Sequence, residues 1–430
     1  MDWNEAIALL HGSDWKHAKI GLDRMQDLMH ILGDPQKNLK FIHIAGTNGK
    51  GSACSMTQSI LTQAGFRTGL YISPHLNSFN ERISIDGEYI SDTDLSRIAA
   101  LIKKAACDLK EEPTDFELIT AIALLWYQEQ HCDFVVLEVG MGGRLDATNI
   151  IDAPLVSAIM SIGLDHTEIL GDTEELIAAE KAGIIKPGSD VVVFNQKKSV
   201  VDVIADCFQR VNKDCIRPGK LVLTDTGKLT ILSRSLSGQI FTYRNIRDIT
   251  LSMLGAYQVQ NAMAAIDIAL CLRSQGFDIS DDDIRGGLQS ARWPGRFELL
   301  SHNPVVIVDG AHNPDGVTAL ISSIETFFPE TKINFVMGVM KDKDYHTMLK
   351  LITPYAASFI TEIPYNQRGL APDLLKVEIS EYFSGPVHTA QSVTDAVDRA
   401  MLLSRENALP IICFGSLYQV ADIRNYFHMS

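Results

Sequence analysis

The chain is expected to fold as an α/β protein of two domains built on mainly parallel sheets. Three observations predict this. Apolar runs of strand length alternate with helical patterns along most of the chain. Those runs are continuous Val, Ile and Leu rather than alternating, as in strands buried on both faces of a parallel sheet. The first of them, in FIHIAGTNGKGS (residues 41–52), ends in a glycine-rich turn that leads straight into a helical stretch.

In chain order, strands are expected at residues 40–45, 68–73, 134–139, 155–162 and 190–194, with helices at 52–64, 92–109, 114–130 and 173–185. Residues 220–252 read differently. Short segments at 220–224, 228–233 and 239–243, broken by Thr-Gly and Ser-Gly turns, are expected to form a small antiparallel appendage. A helix over about 257–274 precedes ARWPGRFELL, where Pro294-Gly295 interrupts the pattern. Strand patterns restart at 304–308, 333–337, 357–360 and 409–414. The boundary is therefore placed near Arg296, giving domains of residues 1–296 and 297–430.

Composition narrows the function. A length of 430 residues with 46% hydrophobic and 21% charged residues fits a globular protein with more than one core. A net charge of −15 leaves no basic stripe for a nucleic acid or an anionic membrane, so neither partner is expected. An anionic substrate must then be met by a few well-placed cations. The seven cysteines are scattered without C-x-x-C spacing, which makes neither a disulfide framework nor a zinc site and suits a reducing compartment. MDWNEAIALLHGSDW lacks the basic and apolar regions of a signal peptide, and no apolar run approaches membrane-spanning length. A cytoplasmic location is the expectation.

The turn Thr47-Asn48-Gly49-Lys50-Gly51-Ser52 carries the first chemical signal. A strand–turn–helix can cradle phosphate, because backbone N–H groups converge on the anion and the positive helix end faces it. The usual P-loop spacing, G-x-x-x-x-G-K-[ST], is not met: Ile44 replaces its first Gly and Gly51 its metal-binding hydroxyl. A plain glycine-rich turn is the alternative. The strand before, the helix after and Lys50 at the junction favour phosphate.

A metal ion would then need ligands from elsewhere, and other strand ends offer them. YISPHL places Ser73 before Pro74, LEVGMGGRLDATN places Glu138 at the end of a very apolar strand, and GLDHTEILG places Asp165 and His166 beyond another. Ligands in open α/β sheets sit outside strand C-termini, so these groups are candidates for one crevice. Each has a bland reading as well: Ser73 as a turn cap, Glu138 as a partner of Arg144, His166 as a satisfied loop histidine. In the second half, VIVDGAHNPDG ends a strand in Asp309, His312 and Asn313. Asp309 and Asn313 could simply cap the turn, whereas His312 at a strand exit suggests a ligand.

The blocks GTNGKGS, SPHLNSFNERISIDG, LEVGMGGRLDATN, LDHTEILG, EKAGIIKPG, RWPGRFE, DGAHNPDG, MGVMKDKD and FGSLYQVADIR resemble the folylpolyglutamate synthase/dihydrofolate synthase family, which is related to the Mur ligases. They run in the family's order over nearly the whole chain. The resemblance implies an ATP-binding N-terminal P-loop-type domain, a Rossmann-like C-terminal domain and an active site between them. It implies ATP-dependent amide formation, in which a pteroate or folate carboxylate becomes an acyl phosphate and the amine of L-glutamate displaces phosphate.

Residue by residue, it assigns Thr47, Asn48, Gly49, Lys50, Gly51 and Ser52 to the ATP phosphates, and Asn261, Arg296 and Asp309 to adenine and ribose. Ser73, Glu138, His166 and Lys181 become ligands of two Mg²⁺ ions, with Lys181, in EKAGI, carbamylated by CO₂ so that a cation turns into an anionic oxygen ligand. His312 and Ser416 are implied for glutamate and the reacting centre; Lys50, Lys181 and His312 are the catalytic set. Leu22, Asp23 and Arg24 in KIGLDRM, Phe116 in TDFE and Asp146 in LDATN are implied for the pterin. Partners are thus ATP, folate or dihydropteroate, and L-glutamate, acting on an expected monomer. The rival reading is a Mur ligase of cell-wall synthesis, disfavoured because the 45 residues before Gly46 are expected to be too few for a UDP-sugar domain. A non-catalytic ATP-binding protein ranks behind both.

Overall fold

The computed structural model describes residues 3–10, 21–364 and 368–428, so the first two residues of KIGLDRM lie outside the described part. By contacts the chain forms two units. One runs to Thr230 and also contains Thr242–Ile249 and Asn261–Ala291; the other contains Ile231–Phe241, Thr250–Gln260 and the chain from Arg292 onward.

The first unit holds an eight-stranded sheet of β1 (Phe41–Ala45), β2 (Thr68–Tyr71), β3 (Ile83–Ile85), β4 (Glu88–Tyr89), β5 (Phe134–Glu138), β6 (Val156–Ile159), β7 (Asp190–Val193) and β8 (Leu221–Leu223). Its order is β4-β3-β2-β5-β1-β6-β7-β8. All neighbours from β2 to β8 pair in parallel, and only β3 and β4 run antiparallel. Every residue of β1, β2, β5, β6 and β7 is buried, which explains their unbroken apolar runs. Parallel pairing also sends the C-terminal ends of β2, β5, β1 and β6 to one edge, as with Ile44 opposite Glu138 and Ala45 opposite Ile159.

The second unit holds a six-stranded sheet of β12 (Glu298–His302), β13 (Val305–Val308), β14 (Ile333–Met337), β15 (Ala356–Thr361), β16 (Val387–Thr389) and β17 (Ile411–Phe414), in the order β12-β13-β17-β14-β15-β16. It is parallel except for β12. Its core brings Phe335, Phe359 and Phe414 together, with ring centroids 5.4 Å apart in both Phe335 pairs.

Two details differ from the sequence reading. Residues 221–223 do not belong to the appendage: they are the edge strand β8 of the large sheet, paired in parallel with β7. The separate three-stranded sheet consists of β9 (Leu229–Ser235), β10 (Gly238–Tyr243) and β11 (Ile246–Leu251), in the order β11-β10-β9. A three-residue edge strand with Leu221 and Leu223 turned to solvent gives too short a pattern to assign. The helix Asp281–Ser290 was also not anticipated, although Ser280 and Asp283 form a capping box at its start.

That helix packs against Lys50–Gln63, the helix that begins at the glycine-rich turn. Ser59 Oγ donates to the Gly287 carbonyl at 2.7 Å, and a β-carbon on Gly287 would lie 2.4 Å from Ile60 Cα. Backbone cannot yield as a side-chain tip can. Gly287→Val should therefore destabilise the chain by about 1–3 kcal/mol, the usual cost of overpacking, measured by urea unfolding. Unchanged stability would mean that the two helices have room to separate.

Candidate active site

The turn after β1 is held open by its backbone. Gly46 and Gly49 take φ of 156° and 84°, which glycine adopts without strain. Gly49 also lies under Asn261: a β-carbon there would meet Asn261 Oδ1 at 2.5 Å. The turn is bonded to the chain beyond β6, because the Thr47 and Asn48 amides donate to the Ser161 carbonyl (2.7 and 3.3 Å). Thr47 Oγ1 donates to the Gly163 carbonyl and accepts from its amide, both at 3.1 Å. Lys50 Nζ donates to the carbonyls of Gly46 (3.0 Å) and Thr47 (3.2 Å), so the ammonium curls over the turn's own backbone. Gly51 and Ser52 form the first turn of the helix, with Ser52 buried.

A pocket opens beside this turn, lined by Gly46, Thr47, Lys50, Asp165, His166 and Lys181 among others. His166 is the N-cap of the short helix Thr167–Leu170, with φ of 50°, its side chain half exposed. Asp165 Oδ1 accepts from its amide at 3.0 Å.

Lys181 lies in the helix Glu174–Ala182 and is only 5% exposed, and no hydrogen bond or ion pair reaches its ammonium among the described residues. Burial and then the charge of Lys50 push its pKa down to about 7, with Asp165 and Asp146 opposing. A side chain this buried is no solvated helix lysine, and its burial favours the neutral amine.

Glu138 and Ser73 form a second group. The Ser73 amide donates to Glu138 Oε2 at 3.0 Å, joining the ends of β2 and β5, and Glu138 is buried. Arg144 instead pairs with Glu180 at 2.9 Å. Among the described residues no three His, Cys, Asp or Glu side chains converge as a metal cage. The donor set still suits Mg²⁺, which takes hard oxygen ligands, needs few from protein and completes its shell with water and phosphate.

The turn after β5 collects two of the pterin candidates. Phe116 packs on Gly140, where a β-carbon would come within 2.4 Å of its ring. Asp146 accepts from the amides of Met141 (2.9 Å) and Thr148 (3.0 Å) and from the Thr148 hydroxyl (2.5 Å), and burial raises its pKa. Leu22 and Asp23 begin the helix Asp23–Ile31. Arg24 on that helix grips the buried Glu117 with two bonds of 3.2 Å. Glu117 was not foreseen. It is the last residue of TDFE, where it closes a capping box with Thr114, and that box was readable.

In the second unit a separate group forms around Gly310. Asp309, at the end of β13, accepts from Tyr257 OH (2.9 Å) and from the amides of Phe297 and Ala311 (2.7 Å each). Burial raises its pKa while Arg296 opposes. The Arg296 guanidinium lies over Gly310, 2.0 Å from where a β-carbon would stand. His312 Nδ1–H donates to the Gly310 carbonyl at 2.8 Å, and Asn313 caps the helix Pro314–Phe327, its bland reading. Ser416 is buried and caps the helix Leu417–Tyr426, while the neighbouring Gly415 amide donates to the Ala311 carbonyl. Tyr257 was missed, since nothing in LGAYQVQN marks it as a partner of Asp309.

A parallel α/β sheet with a glycine-rich turn after its central strand, joined to a second parallel α/β unit, is the architecture of a Mur-type ligase, and residues 44–269 match the Mur ligase middle domain. Residues 295–417 match the Mur ligase glutamate ligase domain. Within that class the chain is 36% identical to dihydrofolate synthase/folylpolyglutamate synthase of Bacillus subtilis, covering 98% of each chain. Folylpolyglutamate synthase (FPGS) of Mycobacterium tuberculosis, solved with ADP and AMPPCP, is 31% identical with a TM-score of 0.86, covering 98% of this chain and 99% of that one. An FPGS–AMPPCP–folate complex is 32% identical with a TM-score of 0.83, covering 99% of each. This chain belongs to the folylpolyglutamate synthase/dihydrofolate synthase family.

Lys181 yields a pH prediction. Its folded pKa of about 7 lies below the ordinary 10.5, so between those values the unfolded chain binds more protons and stability rises with pH. In CO₂-depleted, metal-free buffer, Lys181→Met should unfold at a higher temperature than the wild type near pH 6. The gap should close as pH approaches 10.5, at up to ~1.4 kcal/mol per unit. A gap independent of pH would contradict a buried, unpaired ammonium.

Proposed function

We propose that this chain joins L-glutamate to a carboxylate of folate, and of dihydropteroate, using ATP. The observation that carries this reading is the pocket where the glycine-rich turn, Lys50, Asp165, His166 and Lys181 meet, in a chain of this family. A carboxylate does not react with an amine while its oxygen is a poor leaving group. Attack of a carboxylate oxygen on the γ-phosphorus releases ADP and leaves an acyl phosphate. The glutamate amine then adds to the acyl carbon, loses a proton and expels phosphate.

Two anions must approach for the first step, so local cations decide its rate. Lys50 would swing from the carbonyls of Gly46 and Thr47 to the phosphates, with the amides of residues 49–52 as further donors. Asn261, Arg296 and Asp309 would hold adenine and ribose; Phe116, Asp146 and residues 22–24 the pterin; His312 and Ser416 the glutamate. Residues 1–296 would form the ATP-binding domain and 297–430 the Rossmann-like ligase domain.

Mg²⁺ would be held by Ser73, Glu138, His166 and a carbamylated Lys181, and when bound it would neutralise phosphate charge. Carbamylation needs a neutral amine, since nitrogen attacks CO₂ and gives up a proton, and the buried Lys181 supplies one. ¹³C-bicarbonate should give a carbamate resonance in the wild type that disappears in Lys181→Ala; no such resonance in Mg²⁺-loaded protein would refute it.

Lys50→Ala should fold normally and lose ligation. Activity below about a tenth of wild type is expected, a loss of at least ~1.4 kcal/mol, in assays that supply tetrahydrofolate or dihydropteroate separately with ATP and glutamate. Turnover with neither acceptor would refute the substrate assignment.

Glu138→Ala should cost more than Ser73→Ala, because an anionic ligand neutralises the ion whereas a hydroxyl only fills one position. Raising Mg²⁺ should partly rescue Ser73→Ala and not Glu138→Ala. The opposite order would show that the ligands are misassigned.

A further inference from the structure

Glu362 directly follows β15, and Gln419 lies in the first turn of the helix Leu417–Tyr426. Both side chains are 0% exposed. Neither carboxyl oxygen of Glu362 and neither amide atom of Gln419 finds a hydrogen-bond partner among the described residues. The two side chains converge over Gly338, just after β14. A β-carbon on Gly338 would lie 2.0 Å from Glu362 Oε1 and 2.9 Å from Gln419 Oε1. The absence of a side chain at 338 is what makes room for the encounter.

Four buried polar atoms without partners are costly, and an ionised carboxylate among them would be the costliest. The titratable groups that act on Glu362 are Asp422, on the same helix as Gln419, and the Cys413 thiol of β17, and neither is a cation. Two acceptor oxygens aimed at one point repel unless a proton lies between them. A single proton on Glu362 resolves the encounter: the acid O–H donates to the Gln419 amide oxygen, and no carboxylate charge is left buried.

We propose that Glu362 is kept as a neutral carboxylic acid paired with the Gln419 amide, and that this pair fastens the start of the Leu417–Tyr426 helix, with Ser416 as its cap, to the ends of β14 and β15. Glu362 and Gln419 are then positioning residues for the amino-acid substrate, a role that rests on the reading of Ser416 given above. The electrostatics agree. Burial, and then the charge of Asp422, push the Glu362 carboxyl up to about 8, so it stays largely protonated at neutral pH. Ionisation would set a charge against Gln419 Oε1 and Asp422 and loosen the helix start.

The sign of the pH effect follows. The folded pKa lies above the ordinary 4.5, so the contribution is complete below 4.5, shrinks as pH rises towards 8 and then levels off. Glu362→Gln keeps the shape and the amide pairing but cannot ionise. The wild-type unfolding midpoint should therefore fall relative to Glu362→Gln between about pH 5 and 8. The wild-type KM for glutamate should rise above pH 8 while that of Glu362→Gln stays flat, with kcat following the same course in both. Parallel unfolding curves at every pH would overturn the protonated pair. Diverging unfolding curves with identical KM profiles would leave the pair standing and overturn the positioning role alone; the reading of Ser416 falls separately, if Ser416→Ala leaves the KM for glutamate unchanged. If Glu362→Gln does not fold, infrared spectra of the wild type and Gln419→Met decide. A protonated-carboxyl C=O band should persist at pH 7, vanish through about pH 8 and shift in Gln419→Met; the same band unmoved by that substitution would overturn the pairing.

Discussion

The parallel pairing of β1 between β5 and β6 is the constraint on which the rest of the first unit depends. It sends the Gly46 turn, Glu138 and the 161–163 segment to one edge of the sheet. Because β1 is buried along its whole length, its hydrogen bonds and packing are fixed on both sides. The turn after it inherits that rigidity through Thr47, which is bonded both ways to Gly163. The same rule places Asp309, Gly338, Glu362 and Gly415 just beyond the parallel strands of the second unit.

Charge is managed locally in a chain with a net charge of −15. Lys50 and Lys181 line one pocket, and the charge of Lys50 disfavours that of Lys181. Lys50 donates to two carbonyls, whereas Lys181 has no such bond and moves towards the neutral form. The buried acids face the opposite strain. Asp146 and Asp309 are raised by burial but keep three donors each. Glu362 has none and is pushed up to about 8. A hydrogen-bonded buried acid can stay ionised for binding, and an unbonded one stays neutral unless something pairs with it.

Much of this was legible in the sequence. Continuous apolar runs identified the buried parallel strands, and residues that stop such runs, such as Ser73, Glu138 and Asp309, sit at strand ends in the fold. The burial of Lys181 was also readable in part, since Ile177, Ala178, Lys181 and Ala182 share one helical face and all are buried. Strand β8 was not, because a three-residue edge strand carries no usable period, and residues 221–223 read as the third strand of the small sheet in place of β11. Pairings between distant residues were also invisible, as with Arg24 and Glu117 or Tyr257 and Asp309. Long-range contacts are set by topology, and local pattern does not encode them. Glu362 and Gln419 were overlooked because a polar residue after a strand reads as a solvated turn, and only the fold reveals that both are buried.

The central claim is that the pocket beside the Gly46–Lys50 turn serves transfer of phosphate to a carboxylate. Positional isotope transfer tests this most directly. With ¹⁸O in the reacting carboxylate of the acceptor, and ATP and glutamate supplied, the account predicts that the phosphate released carries one ¹⁸O for each amide formed, because the carboxylate oxygen leaves with phosphorus. Amide formation with unlabelled phosphate would contradict it.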